Sequence, residues 1–451
     1  MLGVLVALLG AAGCGAPARP TSAILIVLDT LRADGLSAYG NRRETTPNLD
    51  RLAREGVLFE TAVTNAPWTL AAMAALLAAE YPTARVFYDR LRLSRVETLR
   101  AAGWRTAAFT GGGFVSKYFG FDRGFDVFEE VQGKSQEFAP ANPNWGKSGI
   151  EPIFAQARRW LRESGDEPFF LLVHTYEPHM PYRRRLYAEG LERGGLGETY
   201  EIVHIAMAKE GQLPIGEPEL AYIRALYDGG VAASDRHVGE LLDTLEKLGV
   251  ADETLVVVTS DHGEDLGERV PLQPGTHGHA LYDEQLLVPL IIHDPTRDYP
   301  VRRVAAQVRT IDVLPTVLEI LGVGTAPDGR GRSLLPLMLG EEDEDRLAWI
   351  EIPESKPMRL DAQVGIRTGR EKLVVKPSAG GEPWLGLFDL DGDAEERSNL
   401  ADREPALRSA LDAELRGLRA DLRAEGVARY RRVPDLSEKI HEQLQALGYL
   451  E

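Results

Sequence analysis

Late in the chain, Ser260-Asp261-His262-Gly263 sets a carboxylate beside an imidazole directly after an apolar run, Leu255 to Val258. Placed side by side, those two groups are metal-ligand material. A second carboxylate, Asp29, follows another apolar run, Ala23 to Leu28. Asp29, Asp261 and His262 together offer two carboxylates and one imidazole. That set suits one divalent ion, with Zn²⁺ or Mn²⁺ favoured over the Ca²⁺ that prefers an all-oxygen cage. A metal working on an ester needs a nucleophile beside it. Thr69, in Asn65-Ala66-Pro67-Trp68-Thr69-Leu70, stands just before the helix-prone residues 71–79. A hydroxyl at a helix N-terminus sits where backbone N–H groups and the helix dipole favour an anion. An ordinary helix cap is the other role open to this threonine, and one residue can fill both. His179, in Glu177-Pro178-His179-Met180-Pro181-Tyr182, and the pair His277-Gly278-His279 complete the set. Such histidines bind an anionic oxygen or protonate a leaving group, or are simply solvated loop residues. His174 lies closer to a strand interior and reads as structural.

These residues need a scaffold that collects them. Residues 23–28, 169–173, 255–258 and 286–292 are all-apolar runs rich in valine, isoleucine and leucine. Such runs, separated by helical stretches at 151–163 and 219–248, predict a mostly parallel sheet covered by helices on both faces. In that architecture sites form at the carboxyl ends of strands, where Asp29, Asp261, His262 and His179 all fall. After about residue 342 the texture changes to short strands at 348–352, 363–367, 372–376 and 387–390, closed by a helix at 405–424. The expected division is a leader and tether over 1–22, a catalytic α/β domain over 23–341 and a small antiparallel sheet with a helix over 342–451. The loops at 133–147 and 183–218 are expected to shape the substrate pocket.

With 451 residues, the chain is long enough for that pair of cores. Its formal net charge of −18 argues against nucleic acid as a partner, because phosphate backbones need basic patches. The single cysteine, Cys14, excludes an intrachain disulfide. It follows a short apolar segment, residues 1–13, which is too short to span a bilayer and reads as a signal-peptide apolar region. Ala11-Ala12-Gly13-Cys14 resembles a bacterial lipobox, with Ala11 in place of the usual Leu and no basic residue before the apolar stretch. It implies an N-terminal lipid anchor at the cell envelope, as the only membrane association.

Several segments, taken in order, resemble the sulfatases of the alkaline phosphatase superfamily. They are Leu28-Asp29-Thr30-Leu31-Arg32-Ala33-Asp34, Thr46-Pro47-Asn48-Leu49-Asp50, Ala66-Pro67-Trp68-Thr69-Leu70, Phe121-Asp122-Arg123-Gly124-Phe125-Asp126, Pro178-His179-Met180-Pro181-Tyr182 and Ser260-Asp261-His262-Gly263-Glu264. Leu281-Tyr282-Asp283-Glu284 and the ending Leu447-Gly448-Tyr449-Leu450 continue the match. The resemblance implies hydrolysis of a sulfate or phosphate ester on a small molecule or glycan. It also implies metal ligation by Asp29, Asp261 and His262, a nucleophile at Thr69, and substrate contacts from His179, His277 and His279. Members of this family use a formylglycine made from Cys or Ser. Threonine cannot yield that aldehyde by the same chemistry, so a direct threonine nucleophile is expected, as in superfamily relatives that mostly move phosphoryl groups. Met73 stands where a basic residue normally supports the nucleophile, Ala71 and Ala72 replace Pro and Ser, and Thr30 replaces a second Asp. This eroded box motivates an alternative: a catalytically impaired surface protein that binds anionic glycans or lipid head groups. A transferase of phosphoryl-linked head groups is a third reading, weakened by the lack of a multi-span membrane domain.

Overall fold

The computed structural model describes residues 19–82, 90–131, 149–165, 167–270, 273–324, 329–353, 362–378 and 381–424. The leader with Cys14, the 133–147 loop and the C-terminal Leu447–Leu450 segment lie outside the described residues. Among the described residues no helix is long and apolar enough to cross a membrane.

The apolar runs form the centre of one large sheet. Its strands are β1 (Ser22–Leu28), β2 (Val57–Val63), β3 (Arg105–Thr110), β4 (Val127–Glu130), β5 (Phe169–Thr175), β6 (Thr254–Thr259), β7 (Leu287–His293), β8 (Arg303–Val304) and β9 (Val308–Arg309). They run in the order β4-β3-β5-β1-β6-β7-β2-β8, and β9 also pairs with β2. From β4 through β6 every pairing is parallel. β7 runs antiparallel to both β6 and β2. The sheet is therefore mostly parallel, as the sequence implies. β1, β5 and β6 are buried at every position, which is why their sequences show no polar alternation.

Alternate residues of β1 serve the two faces. Ala23, Leu25 and Val27 pack toward the Thr69–Ala78 and Val313–Ile320 helices. Ile24, Ile26 and Leu28 pack toward the Ile150–Glu163 and Glu217–Leu248 helices. The Thr69–Ala78 helix is buried along its whole length, which explains its lack of any charged side chain.

A second sheet, antiparallel, joins β10 (Ala348–Ile352), β11 (Gln363–Arg367), β12 (Glu371–Lys376) and β13 (Trp384–Asp389) in sequence order. One face packs Trp349, Ile366, Leu373 and Leu387 against Leu411, Leu415 and Leu422 of the Pro405–Ala424 helix. The other places Ala348, Ile350, Ile352 and Val374 on Val63, Leu281 and Leu286 of the large domain.

A buried ionic cluster fixes that junction. Lys372 Nζ lies 2.6 Å from both Asp283 and Glu396, with its side chain wholly excluded from solvent. Arg367 adds a 2.8 Å contact to Asp283. Burial alone would raise the Asp283 carboxyl, but Lys372 and Arg367 outweigh it and hold the group well below the usual carboxylate range. Lys372→Met removes the cation between two buried carboxylates. It is expected to cost about 3–5 kcal/mol in urea unfolding, because an uncompensated buried charge is expensive. An equally stable variant would show that the cluster does not hold the junction.

Candidate metal and ester site

β1 and β6 lie side by side and parallel, with Val27 opposite Thr259. The residues that follow each strand leave the sheet at the same edge, so positions far apart in the chain meet there. His262 Nε2 lies 3.4 Å from Asp29 Oδ1 and 3.7 Å from Asp261 Oδ2. Thr69 presents its Oγ1 at 3.3 Å from the same nitrogen. Asp29, Thr69, Asp261 and His262 are all buried.

Local hydrogen bonds aim these groups. His262 Nδ1 is 2.8 Å from the Gly263 carbonyl. A carbonyl only accepts, so Nδ1 carries a proton, and Nε2 is the ring nitrogen left facing Asp29. Metal-binding imidazoles are oriented in this way. Ser260 Oγ donates to the His262 carbonyl at 2.7 Å and accepts from the Leu31 N–H at 3.0 Å, tying the two strand ends together. Asp261 Oδ1 accepts from the His262 N–H at 2.9 Å, which turns Oδ2 inward. Thr30 adopts a left-handed backbone (φ 57°), unusual for a β-branched residue. Its hydroxyl bonds the Asp29 carbonyl at 2.7 Å and so contributes nothing to the cluster.

Thr69 is not a helix cap. Trp68 occupies the cap position, and Thr69 is the first helical residue, with its hydroxyl toward His262. The helix N-terminus thus points at the cluster. His174 departs from expectation more sharply. It is fully buried in β5, opposite Val27 of β1, and at hydrogen-bonding geometry neither ring nitrogen has a partner among the described residues. Asp29, His174 and Asp261 present ligand atoms within 4.8 Å of one another. A purely structural histidine would satisfy at least one nitrogen. His174, which reads as structural in the sequence, thus lies beside the acidic pair.

The electrostatics match a site built for a cation. Burial, then the charge of Asp261, pushes the Asp29 carboxyl well above its usual range. Asp261 is also raised by burial, but the neighbouring His262, together with the hydrogen bond from its backbone N–H, outweighs that and holds it low. Burial holds His174 near 4, so its ring is neutral and able to ligate. Neither Asp29 oxygen nor Asp261 Oδ2 meets hydrogen-bonding geometry with any described residue. Buried carboxylates with so few partners are costly, and a divalent ion would relieve them. The residues present fit such an ion: Asp29, His174 and Asp261 offer ligand atoms within 4.8 Å of one another, and His262 Nε2 lies 3.4 Å from Asp29.

Two of the three loop histidines join this nucleus. The His277 ring centroid lies 4.4 Å from that of His262 and 5.1 Å from that of His179. Burial, then the His277 ring, lowers His179 to about 4. Burial, then His262, also lowers His277. His279 sits outside this cluster. Its side chain is 34% exposed, and its Nε2 is 3.7 Å from Asp265 and 3.3 Å from Gln285.

Glu264 has a part that motif spacing does not reveal. Its fully buried carboxylate accepts from Tyr182 Oη at 3.0 Å and meets His277 Nδ1 at 2.7 Å. Burial raises it to about 7. It thereby fixes how the His277 ring is turned. Glu264→Gln is expected to lower kcat by about 10–100-fold while leaving the metal content unchanged. An unchanged kcat would remove Glu264 from the site.

A family model described as Sulfatase matches residues 21–323, more than half of the chain. The chain belongs to the sulfatase family. A second model, N-sulphoglucosamine sulphohydrolase, C-terminal, matches residues 277–421 of this sulfatase. It is 27% identical over 458 residues to an ulvan-active sulfatase of Formosa agariphila, covering 90% of this chain and 82% of that one. It is 28% identical over 474 residues to a multifunctional alkaline phosphatase superfamily protein of Trinickia caryophylli, covering 84% and 90%. The phosphonate monoester hydrolase of Agrobacterium radiobacter shares its fold, with a TM-score of 0.68, 24% identity, and 90% and 96% coverage. So does a protein solved with its substrate D-glucosamine-2-N,6-O-disulfate, with a TM-score of 0.72, 20% identity, and 91% and 99% coverage.

Proposed function

We propose that this sulfatase hydrolyses sulfate or phosphate esters of a small molecule or glycan, with Thr69 as the direct nucleophile. The observation that carries this is Thr69 Oγ1 at a helix N-terminus, 3.3 Å from the imidazole of a buried carboxylate–imidazole cluster. A divalent ion held by Asp29, Asp261 and His262, with Zn²⁺ or Mn²⁺ favoured by the mixed donors, would supply the charge that polarises the ester and lowers the pKa of the Thr69 hydroxyl. Thr69 loses its proton to solvent, and Oγ1 forms a bond to sulfur or phosphorus. The bond from that atom to the alcohol oxygen breaks, and the alcohol leaves with a proton. Water then cleaves the Thr69 ester and releases sulfate or phosphate. With Nδ1 of His179 turned to the Met180 carbonyl and Nδ1 of His277 to Glu264, the Nε2 atoms of these rings are the ones that can take up a proton and hand it to the leaving group. His279, farther out, acts on the substrate rather than on the reacting bond. The relatives named as a sulfatase and as a multifunctional superfamily protein support an ester but not one central atom. An anchor at Cys14 would place this activity at the bacterial cell envelope.

The test is elemental analysis of the purified protein together with a panel of sulfate monoesters, phosphate monoesters and phosphodiesters, each assayed with Mn²⁺ or Zn²⁺. Turnover of at least one class by a protein holding about one metal ion per chain is expected. Bound metal with no turnover on any ester would favour the impaired binding protein instead. The observation on that side is Met73, buried at the place of the usual cation on an uncharged helix.

A further inference from the structure

The chain turns away from β1 at Thr30, the residue that follows Asp29. Thr30 holds its left-handed backbone, φ 57°, despite a β-branched side chain that disfavours that region. Such a residue persists only where its surroundings over-determine it. Three sets of contacts fix this one. Its own hydroxyl bonds the Asp29 carbonyl at 2.7 Å. The next N–H, that of Leu31, bonds Ser260 Oγ at 3.0 Å. The third set comes from far along the chain. Tyr227 Oη donates to the Thr30 carbonyl at 2.8 Å and accepts from the Arg32 N–H at 3.0 Å. One phenol hydroxyl thus clamps the peptide groups on both sides of Leu31.

Tyr227 is a firm anchor for that clamp. It is buried in the Glu217–Leu248 helix, and its ring meets Tyr182 edge-on with centroids 5.8 Å apart. Tyr182 is itself tied to Glu264. A buried phenol needs some partner for its hydroxyl, and a single carbonyl would serve. Here donor and acceptor are both spent on the turn that follows a metal-site carboxylate. The backbone before that turn is already fixed, because the Asp29 N–H bonds the Thr175 carbonyl at 3.0 Å. Neither Asp29 carboxylate oxygen meets hydrogen-bonding geometry with a described residue, so the backbone is what aims the group. The freedom left is the conformation of Thr30. Relaxing it toward the extended region would turn the peptide planes on either side of it and break the bond to Tyr227.

We propose that Tyr227 is a positioning residue for the metal centre: its hydroxyl holds Thr30 left-handed and so keeps Asp29 aimed at the divalent ion. The proposal rests on the metal-dependent reading above and adds to it a residue from a distant helix. Its test is Mn²⁺ binding, followed by titration calorimetry on the metal-free protein. Tyr227→Phe keeps the ring and its packing, and is expected to weaken Mn²⁺ binding by about tenfold or more, the scale on which groups that orient ligands act. Glycine takes a positive φ without strain, so a chain with Thr30→Gly has no need of the clamp. Thr30→Gly is expected to bind Mn²⁺ within about threefold of wild type, and Thr30→Gly/Tyr227→Phe within about threefold of Thr30→Gly. A merely structural tyrosine would not give that rescue. Its loss would lower thermal stability in both backgrounds and leave Mn²⁺ affinity alone. Unchanged affinity in Tyr227→Phe overturns the proposal, as does an equal loss in both backgrounds. If Tyr227→Phe alone does not fold, the two Thr30→Gly proteins still decide, and a tenfold difference between them overturns it. A wild type that binds neither Mn²⁺ nor Zn²⁺ overturns the metal reading and the proposal together, whereas a binding wild type with an unaffected Tyr227→Phe overturns the proposal alone.

Discussion

Asp29→Asn is expected to abolish turnover and, at the same time, to make the metal-free protein more stable. The two effects share one cause. Asp29 is wholly excluded from water, lacks a hydrogen bond of good geometry, and faces a second buried carboxylate at Asp261. In the folded, metal-free protein its carboxyl is pushed well above its ordinary range by burial and by that neighbour. At neutral pH the unfolded chain ionises Asp29 freely, whereas the folded chain resists it. The group therefore opposes folding until a cation arrives. An amide of the same shape carries no charge to desolvate. Replacing an uncompensated buried charge of this kind is expected to stabilise the apo protein by about 1–3 kcal/mol, which is several degrees in Tm. The wild type should recover this with metal, since an ion at a hundred times its Kd adds about 2.7 kcal/mol. The variant should gain little from metal and should lose at least ~10³-fold in kcat/KM. Thermal unfolding with and without Mn²⁺ or Zn²⁺, run on both proteins, gives crossed curves if this is right. Parallel curves, with metal stabilising both equally, would show that Asp29 is not a ligand.

The same residues show what a sequence can and cannot convey about such a site. Asp29 and Asp261-His262 were legible because each follows a wholly apolar run, and parallel neighbours put their carboxyl ends at one edge. β1 and β6 are those neighbours, so the inference held. His174 was not legible. It ends an apolar run of the same kind, Phe169 to Val173, but it lies within β5 and not after it. Only the pairing of β5 with the other flank of β1, which sets His174 opposite Val27, shows that its ring reaches the acidic pair. Strand order is a property of the whole fold, and the local pattern does not carry it. β2 escaped the periodicity argument for a different reason. Its Val57–Val63 sequence contains Glu60 and Thr61, and a register irregularity between Phe59 and Ala62 breaks the alternation. Glu264 was visible as a motif letter only. Its work depends on Tyr182 and His277 converging from other loops, which spacing along one chain does not disclose. The buried helix starting at Thr69 was legible as a helix, yet whether its first hydroxyl caps the helix or faces the metal cluster depended on one rotamer.

Thr69 is also where the largest loss is expected. Thr69→Ala should reduce kcat by at least ~10⁴-fold, the scale on which removal of a nucleophile acts, because no neighbouring hydroxyl among the site residues described above can replace it. Metal content should stay unchanged, since Thr69 supplies none of the carboxylate or imidazole ligands. That split separates a nucleophile from a residue that only shapes the site, whose loss would disturb both. Folding should survive as well. Alanine suits the first turn of this helix, and the lost hydroxyl caps nothing. Thr69→Ser keeps the hydroxyl and drops a methyl group from a fully buried position, so it should retain substantial activity at a small cost in stability. A burst of product equal to the enzyme concentration in wild type, absent in Thr69→Ala, would report the Thr69 ester directly. Full activity in Thr69→Ala would move the attacking group elsewhere. The buried Asp29, His174, Asp261 and His262 would then have to act on a water molecule, and the helix N-terminus at Thr69 would serve only to hold the substrate's anionic oxygens.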